Sequence, residues 1–248
     1  MNSSNETVAR FSNSDPVLVI MAKAPRPGSV KTRLAPALSS EAVVAFYHCL
    51  LEDTLALARF LGDVEVGIMC PESDVRDLTR LAGGQASVVA QRGQGLAAGL
   101  TSVFAHFSQG CDGEIRRRRI IAFNSDSPHL PPSVLEDAFE SLKTHDLVVG
   151  PTHDGGYYLV GAKAFHPSLF ENDGMGTSSA LEKLLSRARS LQLSIHLAAA
   201  FYDIDEADDL ARLAEDLRLA PERAPRTASW LQQWELAAER SRTGTGEL

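Results

Sequence analysis

The chain has 248 residues, of which 44% are hydrophobic and 23% are charged, and its formal net charge is −8. This is an ordinary composition for a water-soluble globular protein that can bury a sizeable core. The acidic balance argues against a nucleic-acid polymer or an anionic membrane as a general partner. No apolar run approaches the roughly 18 residues of a membrane span. Three scattered cysteines and an N-terminus without a signal peptide indicate a cytoplasmic protein.

The predicted elements alternate along most of the chain. Residues 1–15 are polar and are predicted to be a disordered leader. Strands are predicted at residues 17–21, 64–69, 87–91, 120–123, 147–150, 157–160 and 194–197. Helices are predicted from Ser39 or Ser40 to Leu61, at 74–82, from the glycine-containing stretch 91–100 to about Phe107, after Pro132, at 177–188 and after Asp205, which is placed to cap the last of them.

This alternation predicts the fold class and the domain boundaries. It favours an α/β fold with three layers, α/β/α, around a mostly parallel, doubly wound sheet. Residues 16–220 are predicted to form one domain, because no linker rich in Gly, Ser or Pro interrupts them. Beyond residue 220 the pattern weakens, so residues 221–248 are predicted to be a C-terminal extension that is partly frayed.

The first strand leads into a loop, residues 22–36, that is called the basic loop below. It begins at Ala22 and holds four cations in an otherwise acidic protein, namely Lys23, Arg26, Lys31 and Arg33. Ligands of a parallel sheet bind at the carboxyl ends of its strands, so the loop is a candidate phosphate site. The alternative is a solvated basic loop. It lacks the G-x-x-x-x-G-K pattern of a P-loop, so side-chain cations would neutralise the phosphates.

Carboxylates follow two later segments. Asp126 comes after the apolar strand 120–123, beside Ser125, and can bind Mg²⁺ there, although a turn-forming aspartate has the same pattern. Asp203 and Asp205 alternate with Ile204, so both carboxylates point to one face of an extended segment. One of them can complete a metal site while the other caps the next helix, and the cap is favoured for Asp205.

Two glycine-containing stretches lie at other predicted strand ends. After the third strand, Gln91 is followed by glycines, including Gly95, that would let a base or ribose lie against the backbone. Asp154, Gly155 and Gly156 place a carboxylate beside backbone that a ligand can approach, although Asp-Gly is also an ordinary turn. Tyr157 follows, as a packing residue or a ligand contact.

Four motifs carry a resemblance to a known superfamily. AKAPRPGSVKTRLAP, NSDSPHLPP, GPTHDGGYYLVG and YDIDEADDL occur in this order between about residues 17 and 217. The chain resembles the nucleotide-diphospho-sugar transferase superfamily, which has the GT-A fold. Within it the chain is most similar to the bacterial "transferase 1, radical-SAM/selenodomain-associated" family, often described as glycosyltransferases and related to small nucleotidyltransferases.

The resemblance implies roles for individual residues. It implies that Lys23, Arg26, Lys31 and Arg33 hold nucleotide phosphates, with Ala22, Gln91, Gly95 and Ser125 also on the nucleotide side. It implies that Asp126 and Asp203 bind Mg²⁺ or Mn²⁺. It implies that Asp154, Gly155, Gly156 and Tyr157 line the acceptor side, and the residues expected to be catalytic are Lys31, Asp126 and Asp154.

Three functions are compatible with these features. The first is nucleotidyl transfer from a nucleoside triphosphate to a phosphorylated or acidic small molecule, with release of pyrophosphate. It is favoured because the Ser-Asp-Ser strand end has one carboxylate where sugar transferases usually carry an Asp-x-Asp pair. The second is glycosyl transfer from a nucleotide-sugar, and the third is nucleotide binding without catalysis. The base, the acceptor and any homo-oligomer stay open.

Overall fold

A computed structural model describes residues 16–110, 113–170 and 178–243. The predicted leader, residues 1–15, lies outside them. One sheet of seven strands contains β1 (Val17–Met21), β2 (Glu65–Cys70), β3 (Ser87–Ala90), β4 (Ile120–Asn124), β5 (Leu147–Pro151), β6 (Tyr157–Ala162) and β7 (Ile195–Leu197). The helices are α1 (Ser40–Phe60), α2 (Val75–Ala82), α3 (Gly95–Phe107), α4 (Pro132–Ser141), α5 (Ala180–Ser190), α6 (Ala207–Leu219) and α7 (Pro225–Thr243).

The strand order across the sheet is β3-β2-β1-β4-β6-β5-β7. β6 pairs antiparallel with β4 and β5, whereas the other neighbouring strands pair parallel. Six strands therefore end at one edge of the sheet, where β6 begins. The predicted mixed α/β fold with a mostly parallel sheet is confirmed.

Alternation along β1 explains the layers. Val17 and Val19 are buried on one face of the sheet, in a cluster with residues of α3 and α5. Leu18 and Ile20 are buried on the other face, in a cluster with residues of α1, α2, α4, α6 and α7. A strand covered on both faces reads as a continuous apolar run, and this is the pattern that predicted β1.

Helix α7 occupies part of the predicted C-terminal extension. Leu231 is buried in the larger core cluster, and the rings of Trp230 and Phe46 lie 4.9 Å apart. The start of the helix is held by the buried carboxylate of Asp53 on α1, which accepts hydrogen bonds from Thr227 N and Thr227 Oγ1, each at 2.8 Å. The helix therefore packs against α1 as part of the same core. No helix among the described residues is long and apolar enough to cross a membrane.

Candidate active site

A cleft of about 880 Å³ opens at the carboxyl ends of β1 to β4. Seven of the predicted site residues line it, namely Ala22, Lys23, Lys31, Gln91, Gly95, Ser125 and Asp126. The lining also includes Tyr47, Glu72, Leu96 and Asp205, which were not predicted as ligand contacts. The structure therefore brings the basic loop, the glycine-containing loop after β3 and the end of β4 to one cleft.

Lys31 lies between two carboxylates. Its ammonium is 2.9 Å from Asp126 Oδ2 and 2.8 Å from Asp205 Oδ1, and only 4% of the side chain is exposed. Burial alone would lower the pKa of Lys31, but the two carboxylates outweigh it and the pKa is raised, so the side chain stays charged. The backbone of Lys31 is left-handed, with φ 46° and ψ 42°, which is an uncommon conformation for a residue with a Cβ.

The segment before α6 runs beside the end of β4. Ile204 N donates to Asp126 O at 3.1 Å, and Ser127 Oγ donates to Tyr202 O at 3.2 Å. Ile204 is fully buried, whereas Asp205 binds Lys31 and the charge of Lys31 also acts on Asp203. Burial, together with the charges of Asp205 and Asp126, raises the pKa of Asp203 to about 6. The joint metal site of Asp126 and Asp203 stays a prediction.

The prediction that Asp205 caps α6 is wrong. The N-cap residue is Glu206, and Asp209 Oδ2 accepts hydrogen bonds from the backbone of Asp205 at 2.9 Å and of Glu206 at 2.7 Å. The Asp205 side chain instead binds Lys31 and lies 3.8 Å from Arg33. A reach-back carboxylate three residues into the helix does the capping, so Asp205 remains available to the cleft.

Tyr47 of α1 joins the basic loop to the end of β4. Its hydroxyl accepts a hydrogen bond from Lys23 N at 3.3 Å and lies 3.0 Å from Ser125 Oγ, which in turn is 3.4 Å from Asp126 Oδ1. A backbone N–H only donates and a carboxylate only accepts, so the three bonds run in one direction, from Lys23 to Asp126. Burial raises the pKa of Tyr47 to about 12, which keeps its proton in place.

The loop after β3 is shaped by Gln91. The Gln91 Nε2 amide donates to Gly93 O at 3.0 Å and to Gly95 O at 3.5 Å. Gly93 and Gly95 both have φ 84°, a conformation that residues with a Cβ rarely adopt. The backbone of this loop therefore forms part of the cleft wall. The Gln91 amide stabilises the loop through hydrogen bonds to the loop's own carbonyls.

Two cations of the basic loop do not line the cleft. The Arg26 guanidinium binds Asp74 at 2.7 Å, Asp77 at 2.6 Å and Ser73 O at 2.9 Å. These contacts anchor the loop to the start of α2. Arg33 is 66% exposed and lies on the outer side of Asp205. Of the four predicted phosphate contacts, only Lys23 and Lys31 line the cleft.

The predicted acceptor residues lie in the turn between β5 and β6, outside the cleft wall. The Asp154 carboxylate accepts hydrogen bonds from the Thr152 hydroxyl and from Gly156 N, and these bonds lower the pKa of Asp154. Gly155 has φ 88°, and a Cβ there would lie 2.0 Å from Ser178 O. Tyr157 packs against the smaller core cluster, and burial raises its pKa. The Asp-Gly turn that was the alternative interpretation of this stretch is present, and the acceptor role of these residues stays a prediction.

Asp126 and Asp203 would be the metal ligands of this site. Among the described residues, no group of three or more His, Cys, Asp or Glu side chains is arranged to hold a metal ion. Mg²⁺, however, usually binds through one or two protein carboxylates, several waters and the phosphates of its substrate. Asp126 lines the cleft, and the segment of Asp203 is hydrogen-bonded to the end of β4 through Ile204 N and Asp126 O, so this pair fits that pattern.

Solved structures of other proteins share this fold. A protein of Desulfovibrio desulfuricans G20, assigned as a nucleotide-diphospho-sugar transferase, superposes with a TM-score of 0.80 at 24% identity, over 92% of this chain and 98% of that one. The 4-diphosphocytidyl-2C-methyl-D-erythritol synthase of Anaerococcus prevotii DSM 20548 has a TM-score of 0.55 at 10% identity, over 84% and 98%. The inositol-1-phosphate CTP transferase of T. maritima has a TM-score of 0.54 at 13% identity, over 84% and 97%.

The sequence comparisons point to a family of bacterial proteins. No curated protein matches the chain. A family profile matches residues 54–177, which is half of the chain. The structures above, at 24% identity or less, confirm the predicted fold, which is that of the nucleotide-diphospho-sugar transferases. The chain belongs to the family described as "Uncharacterized protein conserved in bacteria (DUF2064)".

Proposed function

We propose that the protein is a divalent-metal-dependent nucleotidyltransferase. In this reaction an anionic oxygen of a small-molecule acceptor attacks the α-phosphorus of a nucleoside triphosphate, and the bond to the leaving pyrophosphate breaks. The observation that carries the proposal is the cleft in which Lys23, Lys31 and Asp126 converge with the glycine-containing loop after β3. A metal-bound nucleotide requires cations for its phosphates, a carboxylate for the metal, and backbone that the base or ribose can approach closely.

Each element of the cleft has a part in this proposal. Lys23 and Lys31 neutralise phosphate charge as it accumulates on the leaving group. Asp126 and Asp203 hold Mg²⁺ or Mn²⁺, which when bound stabilises the phosphate oxygens as a Lewis acid. The backbone at Gly93 and Gly95 receives the base or ribose. Ser125, held by Tyr47, keeps the Asp126 carboxylate in its orientation.

The chemistry of Asp154 favours an anionic acceptor. A general base works best when its pKa lies near the operating pH. Hydrogen bonds from Thr152 and Gly156 lower the pKa of Asp154, so this carboxylate is poorly suited to take a proton from a sugar hydroxyl. A phosphate or carboxylate acceptor needs no such base, because its attacking oxygen is already deprotonated at neutral pH. This supports a phosphorylated or acidic acceptor.

Glycosyl transfer is the second candidate. It is favoured by the TM-score of 0.80 with a protein assigned as a nucleotide-diphospho-sugar transferase. The same cations and metal would then hold a nucleoside diphosphate as the leaving group, with Asp154 of the turn between β5 and β6 as the candidate base for the acceptor hydroxyl. The synthase and the CTP transferase that share the fold are named for nucleotidyl transfer, and they support the first candidate.

One experiment separates the two candidates. The purified protein is incubated with Mg²⁺ and each nucleoside triphosphate, together with pooled phosphorylated, carboxylated and neutral acceptors, and pyrophosphate is measured. A parallel set contains UDP-, GDP- or TDP-sugars, and nucleoside diphosphate is measured. Pyrophosphate release that requires an anionic acceptor supports nucleotidyl transfer, whereas nucleoside diphosphate release from a sugar donor refutes it.

Two variants test whether any activity arises in the cleft. Asp126→Asn removes a carboxylate at the end of β4 and should abolish pyrophosphate release. Asp137→Asn removes an exposed carboxylate of α4 and should have no effect. Equal activity of both variants would place the reaction elsewhere on the protein.

A further inference from the structure

Lys31 is distinguished from the other cations of the basic loop by its burial. Its side chain is 4% exposed, compared with 42% for Arg26 and 66% for Arg33, and Lys23 is also exposed. Its ammonium reaches this buried position from a left-handed backbone. Residues held in sparsely populated backbone conformations are destabilising unless their contacts compensate, and they cluster at functional sites. The position of Lys31 is therefore maintained by its contacts with Asp126 and Asp205.

These contacts use the carboxylates that a metal would need. Asp126 Oδ2 binds Lys31, and Asp126 Oδ1 faces the Ser125 hydroxyl. A divalent ion coordinated by Asp126 Oδ2 would have to replace the ammonium. An ion coordinated through the other oxygen would lie close to a buried like charge. In either arrangement the metal and the Lys31 ammonium disfavour each other.

The charge of the cluster shows why an exchange is feasible. Two carboxylates, those of Asp126 and Asp205, contact a single buried cation, and the charge of that cation also acts on a third carboxylate, Asp203. When Lys31 leaves, the three negative charges are balanced better by a divalent cation than by a monovalent one. The lysine side chain is flexible, with a compact charge on a four-carbon stem, and it lines the cleft in which the phosphates would lie.

We propose that Lys31 occupies the carboxylate cluster as an internal cation that competes with the metal, and that it moves to the phosphates when the metal-bound nucleotide enters. This inference rests on the metal site of the proposed function. It makes the binding of metal and of polyphosphate mutually favourable, because polyphosphate attracts the ammonium that otherwise opposes the metal. The nucleotide-free protein then binds metal weakly.

Mn²⁺ binding to the nucleotide-free protein tests the competition. The free Mn²⁺ signal is followed by electron paramagnetic resonance during titration of wild type, Lys31→Met and Lys23→Met. Lys31→Met should bind Mn²⁺ about tenfold more tightly or better, which corresponds to about 1.4 kcal/mol. Lys23→Met is the matched control, because it removes an exposed and therefore screened charge of the same cleft. Unchanged or weaker Mn²⁺ binding by Lys31→Met, or an equal gain in both variants, would overturn the proposal.

The same substitution should act in the opposite direction on phosphate. Inorganic tripolyphosphate is a probe that does not depend on the base, and its affinity is measured by calorimetry in EDTA. Lys31→Met should weaken this affinity while it strengthens Mn²⁺ binding. A loss of affinity for both probes would mean that Lys31 is only a structural support, which contradicts the proposal. Both titrations give an answer even if no nucleotide proves to be a substrate.

A measurement on the wild-type protein covers the case in which Lys31→Met does not fold. The buried ammonium should exchange its protons slowly and give a lysine side-chain signal in ¹H–¹⁵N nuclear magnetic resonance, assigned with Lys31→Arg. Saturating Mg²⁺ with tripolyphosphate should shift or remove this signal. A signal that stays unchanged would show that the ammonium does not leave the carboxylates, and the proposal would be wrong.

Discussion

Tyr47→Phe should weaken both the fold and the metal site. The substitution removes one hydroxyl that takes part in two hydrogen bonds, with Lys23 N at 3.3 Å and with Ser125 Oγ at 3.0 Å. Ser125 is 3% exposed, so water does not readily replace the lost partner. At about 0.5–1.5 kcal/mol for each bond, we expect the free energy of unfolding to fall by about 2 kcal/mol. For a domain of this size that is a decrease in Tm of roughly 4–8 °C.

The effect on the metal site has a separate readout. Without Tyr47 the Ser125 hydroxyl is free to turn away from Asp126, so Mn²⁺ affinity should decrease in Tyr47→Phe. Tyr158→Phe is the control, because it removes a buried hydroxyl that donates to Ala199 O at 2.8 Å, outside the cleft wall. This control should lose stability and retain Mn²⁺ affinity. Equal Mn²⁺ affinity in wild type and Tyr47→Phe would refute the directed chain of hydrogen bonds.

A double-mutant cycle measures whether the two hydroxyls act together. Tyr47→Phe and Ser125→Ala each break the same 3.0 Å hydrogen bond, so their effects on the free energy of unfolding should not add. We expect a coupling energy of about 0.5–1.5 kcal/mol, determined by urea unfolding of the two single variants and the double variant. Additive losses would mean that Tyr47 supports the cleft through packing alone.

Three other changes test the anchor of the basic loop, the turn between β5 and β6, and the buried His129. Arg26→Met should lower thermal stability, because the Arg26 guanidinium anchors the basic loop to Asp74 and Asp77. It should reduce tripolyphosphate affinity less than Lys31→Met does. A larger loss of affinity in Arg26→Met than in Lys31→Met would place Arg26 at the phosphates. Gly155→Ala should lower the free energy of unfolding in urea by about 2 kcal/mol or more, since a positive φ costs roughly 1–2 kcal/mol and the new Cβ would overlap Ser178 O. Gly62→Ala, with a positive φ and open space, isolates the backbone cost. Burial lowers the pKa of His129 to about 4 in the folded protein, below the value of about 6.5 of an ordinary histidine. The free energy of unfolding should therefore fall by about 3 kcal/mol as the pH drops from 6.5 to 4. His129→Leu should flatten this dependence in acid unfolding, and an unchanged slope would assign it to other groups.

The elements of the sheet could be predicted because their signals are local. Continuous apolar runs gave β1, β4 and β5, and a 3.6-residue period with Ser39 as its cap gave α1. The Ser39 side chain accepts a hydrogen bond from Ala42 N, as a cap does. Helix α7 was missed because its burial comes from contacts with α1, some 170 residues earlier in the chain. The local sequence pattern of residues 221–248 does not indicate that α1 offers a surface for this helix to pack on.

The cleft residues divide in the same way. Lys31, Asp126 and Gly95 could be predicted because each follows a recognisable strand. Tyr47 fits the apolar face of α1, and nothing in the local sequence distinguishes its hydroxyl from that of a core tyrosine. Asp205 was assigned to the cap because an aspartate before a helix usually serves there, whereas Asp209 fills that role from inside the helix. Where a side chain has two plausible roles, the contacts that decide between them come from residues distant in the sequence.

The four cations of the basic loop illustrate how those distant partners decide function. They are equivalent in the sequence, but Arg26 binds carboxylates of the α2 region, whereas Lys31 binds those beside β4 and α6. The loop is therefore held at two points, and only the second lies in the cleft. If Lys31 moves to a phosphate, the Arg26 contacts keep the loop attached to α2, so the exchange requires a side-chain movement and not the opening of the whole loop. Removing the Arg26 anchor should consequently change the stability of the loop more than the preference of Lys31 for phosphate over carboxylate.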